Sequence, residues 1–248
     1  MELLLSCQNL GKSLGAQELF QGLSFGIFDR DRLGIIGENG SGKSTLLALL
    51  AQELSADQGS ISYQKNLRLA LVSQQENLPL DLTPLELFEK TAKECSFHNY
   101  DSLTEAKIAL GKIGIEDPLK KIGEYSGGWQ KRMLIGQALL KKPQIVLFDE
   151  PTNHLDIEGI LWLEQLLQKE KFAFLVVSHD RSFLQKVTNK TLEISKSYLQ
   201  GFFCVEGGYQ KFIEKKQLNL EAQQKKQDNL QKLWKQEYSW LKRSPKAR

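Results

Sequence analysis

Eight consecutive residues, Gly37-Glu38-Asn39-Gly40-Ser41-Gly42-Lys43-Ser44, fit the pattern G-x-x-x-x-G-K-S, a spacing that builds an anion cradle. The glycines let the backbone curl until several N–H groups point inward, and a helix starting here adds its positive end. Lys43 brings a mobile charge to the outer phosphates of a phosphate chain, and the Ser44 hydroxyl is placed for Mg2+, with Thr45 continuing the turn. About a hundred residues later the apolar run Ile145-Val146-Leu147-Phe148 ends in Asp149-Glu150. Asp149 can hold the metal, through water, while Glu150 stands beside it to orient or polarise an attacking water.

Such groups need a rigid frame. Arg32–Ile36 reads as a short apolar strand running straight into Gly37, and Ser44–Leu54 as a helix with leucines at 46, 47, 49, 50 and 54. Leu3–Leu5, Leu23–Ile27 and Asn66–Val72 are further strands, and Ile145–Phe148 and Phe172–Val177 have the continuous apolar character of buried ones. The stretch Pro79–Lys121 is mostly helical, started by Thr83-Pro84 and interrupted at Gly111, Gly114 and Pro118; a helix over Gly127–Lys142 ends before Pro143. Strands alternating with helices predict an α/β body with parallel strands.

The composition is that of a globular domain, 41% hydrophobic and 25% charged. The net charge of +3 does not by itself demand a nucleic-acid partner, but the charge is uneven: from Tyr209 onward there are 11 Lys/Arg against 4 Asp/Glu. That segment has no Gly, and no Pro until Pro245, and Leu230, Leu233, Trp234, Tyr238 and Leu241 fall at helical spacing. It predicts a long basic helix with one apolar stripe, fit either to pack on another helix or to stack on RNA bases while its lysines track phosphates. Cys7, Cys95 and Cys204 have no paired metal-type spacing and read as buried or incidental thiols. No run of 18 apolar residues is present, and the N-terminus lacks a basic region before a long apolar core, so neither a membrane span nor a signal peptide is expected, and a cytoplasmic protein is. His154 reads as a hydrogen-bonded loop residue and His98 as a surface one.

Taken in order, these motifs resemble those of the ATP-binding cassette (ABC) superfamily over nearly all of residues 1–208. Gln74, in Leu71-Val72-Ser73-Gln74, resembles the Q-loop glutamine that reaches Mg2+ and the water, with Gln75 as the alternative. Ser126-Gly127-Gly128 resembles the signature loop, Leu155-Asp156 the D-loop, and His179 in Ser178-His179-Asp180 the switch histidine that contacts the γ-phosphate. The resemblance implies an α/β P-loop NTPase fold: a mixed sheet core, an antiparallel β subdomain, and a small helical subdomain at about 79–142, followed by a basic helical linker at 209–248. It implies ATP and Mg2+ as cofactors and an ATPase whose site is composite, Ser126, Gly127 and Gly128 capping ATP held by a second such domain. Two positions depart from the family. Tyr125 replaces the leucine that opens the signature, a position read as structural. Leu14, in Lys12-Ser13-Leu14-Gly15, stands where an aromatic stacks on adenine; losing that stacking, about 1–3 kcal/mol per base on nucleic acids, predicts looser selectivity and room for GTP.

Within the superfamily, Pro151-Thr152-Asn153-His154-Leu155-Asp156, Ser178-His179-Asp180-Arg181-Ser182-Phe183-Leu184 and Ser126-Gly127-Gly128-Trp129-Gln130-Lys131-Arg132 resemble the ABC-F branch. Gly207-Gly208-Tyr209-Gln210-Lys211-Phe212 resembles the lead into that branch's linker, and the run from Trp240 to Arg248 its Uup-type subgroup. The resemblance implies either the N-terminal half of a two-cassette protein, stopping inside the linker, or a short homodimer. The stretch between Gln74 and Ser126 leaves no room for a large inserted arm. The implied partners are a second cassette and the ribosome or its RNA. DNA is the alternative, and a transporter motor is a third reading that Asn153-His154 and the basic segment disfavour.

Overall fold

The structure, a computed structural model, describes residues 2–74, 77–95, 101–198 and 200–243. Gln75, His98 and residues 244–248 lie outside these. The chain opens with β1 (Leu3–Leu14), β2 (Gln17–Phe28), β3 (Arg32–Gly37), α1 (Lys43–Leu50), β4 (Gln58–Tyr63) and β5 (Leu69–Val72). Helices α2 (Pro84–Glu94), α3 (Ser102–Ile113) and α4 (Gly127–Leu140) follow, with a 3-10 turn at Ile122–Glu124. Then come β6 (Ile145–Asp149), α5 (Ile157–Lys169), β7 (Ala173–Val177), α6 (Arg181–Val187), β8 (Lys190–Ile194), β9 (Phe202–Glu206) and α7 (Tyr209–Arg243).

Two sheets result. The larger has the order β5-β6-β7-β3-β8-β9, parallel except for β9, which runs antiparallel to β8. The smaller, β2-β1-β4, is wholly antiparallel. This is the expected α/β architecture with its mixed core and antiparallel subdomain. Every residue of β6 and β7 is buried, as a parallel strand covered on both faces must be. The two-residue period divides them between two cores. Val146, Phe148, Phe174 and Val176 face α2, α3, α4 and α5. Ile145, Leu147, Leu175 and Val177 face α1 and the antiparallel sheet.

Several elements differ from their sequence reading. β1 and β2 are 12 residues each, far longer than their apolar centres, because β1 is paired on both edges and its ladder carries polar residues such as Gln8 and Lys12 along. Helix α1 stops at Leu50 rather than Leu54, since Gln52 turns left-handed at φ 64 and the Glu53 N–H folds back onto the Ala48 carbonyl at 2.9 Å. Leu54 is therefore outside the helix and exposed. In the helical region, Thr83 and Glu86 form a reciprocal capping box on α2, and Gly114 closes α3 at φ 80.

Helix α7 is anchored by its first turns. Gln185 Oε1 accepts from the Gln210 N–H at 2.7 Å, Phe212 is fully buried against Phe203, and Lys216 Nζ meets Glu193 at 2.7 Å. Farther along, Leu218, Leu230, Leu233, Trp234 and Tyr238 are exposed, and Trp234 stacks on Tyr238 with centroids 5.8 Å apart.

Candidate functional site

Strand register builds the site. Gly37 pairs with Ile194, Asp149 with Val177, and Val72 with Phe148. Gln74, Glu150 and His179 each follow two residues beyond Val72, Phe148 and Val177, so all of them emerge at the same carboxyl edge as the 37–44 loop. That edge is where open α/β sheets bind ligands.

The loop itself is held from below. Gly42 caps α1 with a left-handed backbone, φ 94, and its Cα hydrogen side rests on Leu19 and Phe20 of β2. The antiparallel sheet thus sets the shape of the cradle. Lys43, almost entirely buried, bends over the loop and donates to the carbonyls of Gly37 (3.0 Å) and Glu38 (2.9 Å). Burial holds its ammonium below the usual amine range, against the opposing pull of Glu150 and Asp149.

Asp149 and Glu150 are both buried. Glu150 adopts a left-handed backbone, φ 46, at the turn out of β6, the kind of strained position that folded structure retains at functional sites. Its N–H donates to the Val177 carbonyl at 3.0 Å, while its Oε2 accepts from the His179 N–H at 3.3 Å and its Oε1 lies 3.4 Å from His179 Nε2. Burial raises the Glu150 carboxyl above the ordinary carboxylate range, His179 being the main opposing influence. Ser41 Oγ, Asp149 Oδ1 and Glu150 Oε1 are buried without hydrogen-bond partners. A buried carboxylate oxygen in this condition costs free energy, and the donor set fits a hard divalent cation with oxygen ligands and a phosphate chain. The residues that could hold Mg2+ are Asp149, Ser44 and, from the neighbouring strand end, Gln74. The run from Gly37 to Thr45 could cradle a triphosphate.

Lys43, Asp149, Glu150 and His179 are thus brought together. Other residues sit apart. Ser126 and Gly127 are exposed at the start of α4, Ser126 making no side-chain cap, and Gly128 packs on the His154 carbonyl and Leu155. Three backbone N–H groups at an exposed helix start are available to an anion from outside. Asp156 is the N-cap of α5, accepting from the Gly159 N–H at 2.7 Å. Leu14 lies at the exposed end of β1, paired with Gln17. Tyr125 packs against the helical core and donates its hydroxyl to the Asp117 carbonyl.

The family model described as ABC transporter matches residues 20–153. The chain belongs to the ATP-binding cassette family. Over 280 residues it is 33% identical to the ABC transporter ATP-binding protein YfmR of Bacillus subtilis, covering 99% of this chain and 44% of that protein. It is also 33% identical, over 247 residues, to the ATP-binding protein Uup of Buchnera aphidicola, covering 99% of this chain and 41% of the relative. The cassette therefore spans less than half the length of these curated relatives. Kinship with Uup agrees with the ABC-F resemblance of its motifs. Among solved structures, a metal-chelate type ABC transporter in an inward-facing conformation superposes with a TM-score of 0.71 at 28% identity, covering 83% of this chain and 84% of that one. No helix among the described residues is long and apolar enough to cross a membrane.

The sequence reading gave no role to Lys131 or Ser178. Lys131 is buried on α4 and donates to the Ser73 carbonyl at 2.9 Å; a charge on the apolar face beside Leu134, Ile135 and Ala138 was its available signal. Ser178 is buried, with its Oγ 3.2 Å from Thr152 Oγ1 and accepting from the Asp180 N–H at 3.1 Å. No spacing rule would have found this tie between the loops that leave β6 and β7. Arg132 lies over the rings of both Trp129 (4.4 Å) and Trp162 (5.1 Å), joining α4 to α5.

Proposed function

We propose that this cassette binds Mg-ATP in the 37–45 cradle and hydrolyses it at a site completed by the Ser126-Gly127-Gly128 loop of a second cassette. The observation that carries this reading is the group of buried oxygens without hydrogen bonds, Ser41 Oγ, Asp149 Oδ1 and Glu150 Oε1 (the last 3.4 Å from His179 Nε2), in a site with an almost wholly buried Lys43. Bound Mg2+ supplies neutralisation and orientation of the phosphate oxygens. Lys43 exchanges its own loop carbonyls for phosphate oxygens, and Ser44, Asp149 and Gln74 hold the metal. Glu150 accepts the hydrogen bond of the attacking water and, with a carboxyl raised by burial, is suited to hold its proton. His179, touching Glu150, contacts the γ-phosphate side. Asp156 steadies the start of α5, and Leu14 offers an apolar rather than an aromatic surface to the base. The units in this reading are a cassette at 1–208, with a helical and signature subdomain at about 79–142, and a basic helix at 209–248.

The partner that this reading assigns to α7 is ribosomal RNA, in a cytoplasmic protein acting on translation. Exposed Trp234 stacked on Tyr238, among lysines, is the supporting observation, because aromatic faces interleaved with cations suit unpaired bases and phosphates. Glu150→Gln tests both halves. It retains ATP binding and lowers turnover by about 10²–10⁴-fold; unchanged turnover removes Glu150 from its role. The same variant, with ATP and after DNase treatment, is expected to sediment with ribosomes. ATP-dependent retention on DNA instead would assign α7 to that polyanion.

A further inference from the structure

We infer that Lys131 is a positioning residue for Gln74, holding the metal-reaching end of β5 on the helix that carries the signature loop. The inference rests on the proposed role of Gln74 at the metal. Ser73 is the last residue before Gln74, just past the end of β5. Its carbonyl accepts from Lys131 Nζ at 2.9 Å, and Lys131 is only 7% exposed. Burying an ammonium is costly unless its hydrogen bonds are met; the Ser73 carbonyl meets one of them, and that carbonyl is held in turn. Gln74 itself is exposed and is a turn residue, with no strand ladder to fix it. A metal ligand outside the strand ladder gains definition when a neighbouring group is clamped, and removing outer partners of metal ligands typically costs about 10–100-fold in metal affinity.

The clamp also has a far end. Lys131 lies on α4 five residues after Ser126, and the next residue, Arg132, is fixed between Trp129 and Trp162. Helix α4 therefore joins the proposed metal ligand of one composite site to the loop this chain would offer to the other.

The test uses Mn2+ as the probe, binding to the full chain with a non-hydrolysable ATP analogue, followed by electron paramagnetic resonance. Lys131→Met is expected to weaken Mn2+ binding about 10-fold, with metal-free analogue binding and the circular dichroism spectrum unchanged. Lys131→Arg, which keeps a donor, recovers most of the loss. Gln74→Ala weakens Mn2+ binding by a similar factor, and the Lys131→Met, Gln74→Ala pair is no weaker than Gln74→Ala alone. Full Mn2+ affinity in Lys131→Met, or losses that multiply in the double variant, would overturn the positioning role while leaving Gln74 at the metal. Full affinity in Gln74→Ala would overturn the reading of Gln74 itself, and the positioning role with it.

Discussion

Gly40 and Gly42 lie two residues apart in one loop, and both have left-handed backbones, φ 78 and φ 94. Their surroundings differ. A Cβ added at Gly42 would sit 3.0 Å from Leu19 Cβ and from Phe20 Cδ1 and Cε1, whereas one at Gly40 meets nothing within 4 Å. The left-handed conformation costs an L-residue about 1–2 kcal/mol, and the stiffer unfolded chain of an alanine returns about 0.4–1 kcal/mol. Gly40→Ala should therefore cost roughly 1 kcal/mol. Gly42→Ala adds the crowding, about 1–3 kcal/mol for an overpacked site, because Leu19 and Phe20 are buried and fixed in the β2 ladder. The total is roughly 2–4 kcal/mol. In a chain of this size 1 kcal/mol moves the melting temperature by about 2–4 °C. Calorimetry of the nucleotide-free chain is then expected to show Gly42→Ala melting roughly 5–15 °C low and Gly40→Ala within about 4 °C of the parent. Equal losses, or a larger loss at Gly40, would refute the argument that packing against β2 shapes the cradle.

Three further outcomes are expected. Cys7 is fully buried, and burial pushes its thiol up to about 12; it should resist thiol reagents at pH 8 in the native chain and react on unfolding. Because the folded pKa is raised, this contribution to stability is full below the ordinary thiol range and is lost as pH climbs toward 12, so Cys7→Ala should flatten that part of an alkaline titration of unfolding. Phe212→Ala removes the buried ring that seats α7 and should cost the anchor about 3–5 kcal/mol. Limited proteolysis should then cut α7 sooner while nucleotide binding stays intact; an unchanged cleavage rate would mean that the Lys216–Glu193 and Gln185 contacts hold the helix alone.

The sequence by itself determined the cradle, the acidic strand end and the helix start at Thr83. Each is a local device: backbone curl, an apolar run ending in charge, and a cap depend on neighbours a few residues away. It likewise marked the all-buried β6 and β7, whose apolar runs leave no solvated face. The ends of β1, β2 and α1 were not legible, because pairing on both edges extends a strand through polar residues, and one left-handed residue, Gln52, ends a helix whose leucines continue. Strands β4, β8 and β9 and helices α5 and α6 carry weaker signals, and their existence depends on neighbours far away in the chain. Only the tertiary structure decided that Gln74, Glu150 and His179 leave adjacent parallel strands at one edge, that Gly42 rests on Phe20, and that a buried lysine on α4 reaches Ser73. Those facts arise from strand order and register, long-range pairings that hydrophobic burial selects and that no single stretch of sequence encodes.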